Sequence, residues 1–111
     1  MLIEHLFVYG TLAPSEPNHY LLENIQGDWQ EAILEGWQRD NQFEIETGYP
    51  GIKPAAQSSL VKGHVLSGYF SKEDWSILDD FEGSEYARVL VKVSLANGNT
   101  ADAFVYSIYN S

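Results

Sequence analysis

Apolar and polar positions change their period several times along the chain. His5 to Tyr9 (His-Leu-Phe-Val-Tyr) is an apolar, aromatic run that stops at Gly10, the pattern of a buried strand ending in a sharp turn. Pro14 to Asn18 is turn material. His19 to Ile25 predicts a short helix, with Asn18 as N-cap and Leu21, Leu22 and Ile25 on one face. Trp29 to Gly36 and Asn41 to Ile45 read as two further strands, and the Gly- and Pro-rich stretch Thr47 to Pro54 as an irregular loop. Leu60 to Phe70 alternates loosely and reads as a strand interrupted by Gly63 and Gly68.

The clearest helix spans Lys72 to Glu82. Ser71 is a good N-cap, and Asp74 three residues on completes a capping box with Asp in place of Glu. Glu73 and Asp74 suit the positive end of the helix dipole. Trp75, Leu78 and Phe81, with Ile77 beside them, form an apolar stripe, and Gly83 stands where a left-handed cap is wanted. In Tyr86 to Leu95 one face carries Ala87, Val89, Val91, Val93 and Leu95. Asn97-Gly98 signals a hairpin, and Ala101 to Tyr109 returns as its partner strand. One domain over residues 1–111 is the simplest organisation, with neither repeat nor linker. Its class is α+β, with a mainly antiparallel sheet that can curl into a small barrel.

Composition narrows the function. Six Lys and Arg stand against sixteen Asp and Glu, for a net charge of −10. A surface that negative repels phosphate backbones and anionic lipid, so neither nucleic acid nor membrane is expected as a partner. There is no Cys, which removes disulfides, thiolate nucleophiles and cysteine-ligated zinc. No apolar run approaches a membrane span and the N-terminus lacks signal-peptide features, so a cytoplasmic location is expected. His5, His19 and His64 have no metal-ligand spacing, and no G-x-S-x-G elbow occurs.

Two places remain for chemistry. Glu82 lies in the last turn of its helix, where the negative dipole end and nearby Asp79 both disfavour ionisation and raise its pKa towards neutrality. A carboxyl tuned this way can take and return protons; the plainer alternative is an exposed helix-end acid. The run Asp79-Asp80 reads as a solvated face. Tyr9-Gly10-Thr11-Leu12 can turn consecutive backbone N–H groups towards a carboxylate, or can simply be a turn that needs Gly.

Together these segments resemble the gamma-glutamyl cyclotransferase-like superfamily, and within it the gamma-glutamylaminecyclotransferase branch. Phe7-Val8-Tyr9-Gly10-Thr11-Leu12 resembles its N-terminal signature, Pro17-Asn18-His19 the motif that follows, and Gly48-Tyr49-Pro50-Gly51-Ile52 its middle loop. Leu78 to Gly83 followed by Tyr86-Ala87-Arg88 resembles its acidic signature, and Phe104-Val105-Tyr106 its closing strand. Ala13-Pro14-Ser15-Glu16 and Gly63-His64-Val65-Leu66 depart from the pattern and leave the substrate's identity open.

The resemblance implies a small mixed β-barrel with one or two short flanking helices. It implies a cavity holding a gamma-glutamyl group against Tyr9, Gly10, Thr11 and Leu12, with Glu82 as catalytic acid/base and Tyr86 and Tyr106 near the substrate. The implied reaction is intramolecular: the α-amine attacks the γ-carbonyl, releasing 5-oxoproline and an amine or amino acid. It needs no protein nucleophile, metal or organic cofactor, only a small-molecule substrate. Oligomeric state is not readable from the chain. Two other readings stay open. One is a non-catalytic domain using the same cavity for a small ligand. The other is an acidic protein-interaction module whose cavity is closed or filled.

Overall fold

The computed structural model describes residues 2–108. Seven strands run β1 (Glu4–Val8), β2 (Gly27–Glu35), β3 (Trp37–Arg39), β4 (Ile52–Pro54), β5 (Leu60–Gly68), β6 (Tyr86–Leu95) and β7 (Thr100–Ile108). The helices are α1 (Asn41–Thr47) and α2 (Lys72–Glu82), with one 3₁₀ turn at His19–Leu22. Five strands close into a barrel in the order β1-β5-β2-β6-β7, and β3 and β4 form a separate ribbon. All neighbours are antiparallel except β7 and β1, which close the barrel side by side with Leu6 opposite Phe104. This is a mixed, mainly antiparallel α+β barrel flanked by two short helices.

Strand alternation sorts the apolar side chains into two sets. Phe7, Ala32, Leu34, Val61, Val65, Val93, Ala103 and Val105 come from all five barrel strands and fill the interior, with Ile52 of β4 packed onto them. Leu6, Val8, Leu66 and Tyr106 point outward and are covered by Leu12, Ala13 and Leu22 from the β1–β2 connection and by Trp75 and Leu78 of α2. Trp75 is the anchor of that second layer: it stacks on Phe70 at 4.4 Å and meets Phe104 edge-on at 5.0 Å.

Several expected elements change. Asn41–Ile45 is not a strand but most of α1. Asp40 caps it by accepting the Phe43 N–H at 3.0 Å, and Gly48 ends it with φ 75°. The segment has a cap at each end and apolar side chains at Phe43 and Ile45, too close for an apolar face of its own; no residue of it is buried. The predicted loop Thr47–Pro54 finishes as β4, paired with β3, a strand that the periodicity does not reveal. His19–Ile25 shrinks to the 3₁₀ turn, and Asn18 makes no capping hydrogen bond. β2 starts at Gly27 rather than Trp29, and β5 runs unbroken through Gly63, where a side chain would meet the Val8 carbonyl. Gly83 has a positive φ of 84° but ψ of −175°, so the helix ends on a conformation open mainly to glycine that is not the left-handed cap. The 72–82 helix and its capping box are as read: Ser71 Oγ accepts the Asp74 N–H at 3.0 Å, and Asp74 Oδ2 accepts the Ser71 N–H at 2.8 Å. In β7, expected Ala101–Tyr109, the described part runs Thr100–Ile108, and Tyr109 lies outside the described residues.

Candidate active site

β1 delivers the first part of the site. The strand ends at Val8 and the chain turns through Tyr9–Leu12. Gly10 passes so close to Pro50 that a Cβ there would lie 2.6 Å from Pro50 Cγ. The turn's carbonyls are engaged: Gly10 O accepts from Ala13 N–H at 3.0 Å and Thr11 O from Asn18 N–H at 2.9 Å. Leu12 O accepts at 3.1 Å from His19 Nδ1, which fixes the proton on that nitrogen. The donors are not engaged. Among the described residues nothing accepts a hydrogen bond from the N–H groups of Gly10, Thr11 or Leu12. A run of unpaired amides is costly unless water or a ligand takes it up, and it forms a partial positive charge suited to a carboxylate.

α2 delivers the second part. Its last residue, Glu82, is half-buried, and burial pushes its carboxyl up to about 7. The direction agrees with the sequence reading but the cause differs. Asp79 is not a free neighbouring charge. Its carboxylate accepts from Arg88 Nε at 2.9 Å, from Arg88 Nη2 at 3.3 Å and from the Tyr106 hydroxyl at 2.7 Å. Partial burial pushes Asp79 up, but the Tyr106 and Arg88 hydrogen bonds outweigh it and hold the group below its ordinary value. Asp79 and Asp80 are both exposed, as a solvated face requires, but the Asp79 carboxylate also belongs to a bonded cluster. Arg88 also lies over the Trp75 ring at 4.4 Å, so the pair clamps the end of α2 to β6 and β7.

Three tyrosines frame the space between these parts, and each hydroxyl has a protein acceptor. Tyr9 donates to the Tyr106 carbonyl at 2.6 Å, Tyr86 to the Pro50 carbonyl at 2.6 Å, and Tyr106 to Asp79. Burial is the main reason that all three phenols titrate late: Tyr86 is pushed up to about 12, and Tyr9 and Tyr106 further still.

The structure brings every residue singled out from the sequence to one hollow of about 410 Å³. Tyr9, Gly10, Thr11 and Leu12 line it from one side, and Glu82, Tyr86 and Tyr106 from others. That volume lies within the usual range for small-ligand sites. The hollow is open, against the closed cavity that an interaction module required. The sequence reading missed Phe43 and Thr47, placed here by α1, and the lining roles of Asn18 and Phe81. Phe81 belongs to the predicted apolar stripe but is 41% exposed and faces this space rather than the core. On the far side of the Gly10 turn lies a larger, shallower depression lined by Arg39, Lys62 and His64, and Glu82 takes no part in it. Among the described residues no group of His, Asp and Glu is arranged to hold a metal ion.

Barrel, hollow and acid together define a class of small β-barrel proteins with a half-buried carboxyl and a glycine turn lining one hollow. Comparison makes the class specific. Residues 6–111 match the family described as Gamma-glutamyl cyclotransferase, AIG2-like, and the chain belongs to that family. It is 37% identical over 93 residues to AIG2-like protein C of Arabidopsis thaliana, an alignment covering 83% of this chain and 51% of that protein. It thus spans about half the length of that relative. Another Arabidopsis thaliana protein, of known solution structure, superposes with a TM-score of 0.74 at 29% identity, covering 99% of this chain and 71% of the other. A solved gamma-glutamyl cyclotransferase has the same fold, with a TM-score of 0.76 at 19% identity over 98% of this chain and 68% of its own. No helix among the described residues is long and apolar enough to cross a membrane.

Proposed function

We propose that the protein is a gamma-glutamyl cyclotransferase acting on a gamma-glutamyl amine or gamma-glutamyl amino acid. The observation that carries this reading is one hollow that joins a carboxyl with a pKa of about 7 to a turn with unpaired amides. The substrate's α-carboxylate lies on the N–H groups of Gly10, Thr11 and Leu12. Glu82, as carboxylate, takes a proton from the α-ammonium. The freed amine attacks the γ-carbonyl carbon and closes a five-membered ring. Glu82 then returns the proton to the amide nitrogen, the C–N bond breaks, the ring nitrogen gives up its second proton to the departing amine, and 5-oxoproline and the protonated amine leave. Nucleophile and electrophile share one molecule, so the protein's work is to fold the substrate, move the proton and stabilise the charge that develops on the γ-carbonyl oxygen. Proton transfer by a placed group contributes roughly 10²–10⁴-fold.

A group with a pKa near the working pH is divided between its two forms, as acid and base duty in one cycle require. The test is incubation of purified protein with a panel of gamma-glutamyl compounds and an assay for 5-oxoproline. Release by the wild type and none by Glu82→Gln supports the reading. Binding without release by either points to a ligand-binding domain instead. Because Glu82 must begin as carboxylate, kcat/KM falls tenfold per pH unit below about 7, and Glu82 is the group responsible.

A further inference from the structure

The cyclisation proposed above develops negative charge on the γ-carbonyl oxygen, and some donor must meet it. Asn18 sits in the hollow, yet its side chain does no visible structural work. It precedes the 3₁₀ turn at His19–Leu22 but makes no capping hydrogen bond. Among the described residues no hydrogen bond to its side-chain amide is formed, although its position is fixed. Its own N–H donates to Thr11 O at 2.9 Å, and the next residue, His19, holds Leu12 O through Nδ1 at 3.1 Å. Two bonds thus tie this corner to the same turn that carries the unpaired amides.

The remaining donors in the hollow are few. The hydroxyls of Tyr9, Tyr86 and Tyr106 are committed to protein acceptors, and that of Thr47 to the Phe43 carbonyl. Tyr49 is 63% exposed at the rim. The Thr11 hydroxyl belongs to the turn itself. No Lys, Arg or His lines the space, and Asn18 is the one lining residue whose side chain carries an N–H. A carboxylate with two oxygens is already matched by the amides of the turn. An oxyanion a few bonds away along the same substrate is not.

We propose that Asn18 is a catalytic residue whose side-chain N–H donates to the γ-carbonyl oxygen and stabilises the oxyanion formed when the α-amine attacks. This rests on the cyclotransferase reading but adds a residue and a role to it. A single side-chain amide used this way is worth about 10²–10³-fold in kcat. The side chain makes no capping bond, and φ of −104° suits any residue, so Asn18→Ala and Asn18→Asp keep the fold.

The test has two arms. In the first, steady-state 5-oxoproline release is compared for wild type, Asn18→Ala and Asn18→Asp. The expected result is a fall of about 10²–10³-fold in kcat for both, with KM within about twofold. Unchanged kcat, or a rise in KM alone, overturns the assignment. In the second, ¹⁵N-labelled protein is titrated with 5-oxoproline, whose lactam carbonyl is the former γ-carbonyl. The side-chain amide pair of Asn18, identified by its absence in Asn18→Asp, is expected to shift to a saturating endpoint. A pair that stays in place while neighbouring backbone amides shift overturns the contact. A wild type that releases no 5-oxoproline overturns the cyclotransferase reading and the oxyanion role with it, whereas the NMR arm judges the contact by itself.

Discussion

Glu82 shows how one residue carries opposed demands. Folding removes its carboxyl from water, and the proton-bound form is favoured up to about pH 7, against 4.5 for an ordinary glutamate. The native state therefore holds this proton more tightly than the unfolded chain does. Its stability is unaffected by Glu82 at pH 4, declines as pH rises through the range between those two values, and is lower by up to about 3 kcal/mol above it. Gln has the neutral shape at every pH. Urea unfolding is thus expected to find Glu82→Gln more stable than wild type at pH 8 and equal to it at pH 4; equal midpoints at both would show that burial imposes no penalty. The residue types at the site were legible in the chain, because an acid at a helix end and a glycine after a buried strand are local patterns. The reason for the raised pKa was not. It depends on what covers the carboxyl, and that the Asp79 charge is absorbed by Arg88 and Tyr106 is a fact of tertiary contacts across nine and twenty-seven positions.

At the scale of elements, local signals were reliable where both ends and the middle agreed. α2 has a capping box, acidic residues in its first turn and a buried Trp75–Leu78 pair, and it appears where the pattern sets it. Ser71→Ala removes one half of that box and is expected to cost about 1 kcal/mol, read as a lower urea midpoint with unchanged slope. Loss of activity should follow only from the smaller folded fraction, since Ser71 lies at the opposite end of the helix from Glu82. α1 misleads for a physical reason. In so short a segment an apolar residue at every second position mimics a strand, and the evidence against it is Asp40 and Gly48, outside the apolar pattern. β3 and β4, three residues each, are defined by pairing with one another and carry no period of their own. The hairpin at Asn97-Gly98 was legible because its turn needs one left-handed residue, and Gly98 takes φ 91°.

For the molecule as a whole, the barrel is held unevenly. β6 and β7 pair from Tyr86–Ile108 to Ser94–Thr100, whereas β2 meets β6 only at Ala32–Leu95 and Ile33–Ser94, with Ala96 N–H donating to Glu31 O just beyond. Hydrogen exchange is expected to reach the Ala96 amide before the paired amides of the β6–β7 ladder, and the reverse order would refute a weak seam there. Closure itself could be guessed from many strands and few helices, but not which strands meet, because register lies in side-chain packing from all five. The net charge of −10 adds self-repulsion, so moderate salt should raise the thermal midpoint at pH 8.

The contact between Gly10 and Pro50 reaches further than the turn it shapes. Pro50 is held on its ring side by the missing side chain of Gly10 and on its carbonyl side by the Tyr86 hydroxyl. The Gly48–Gly51 loop, whose Tyr49 and Pro50 line the hollow, is thus held at Pro50 from two places far apart in the chain. Gly10→Ala would push the loop outward, and Tyr86→Phe would unhook it. Both changes should broaden the range of leaving groups admitted more than they slow the smallest, seen as a flatter profile of kcat/KM across compounds of increasing bulk. A doorway built from a hydrogen atom and a hydroxyl can be re-cut for a new guest by a single substitution.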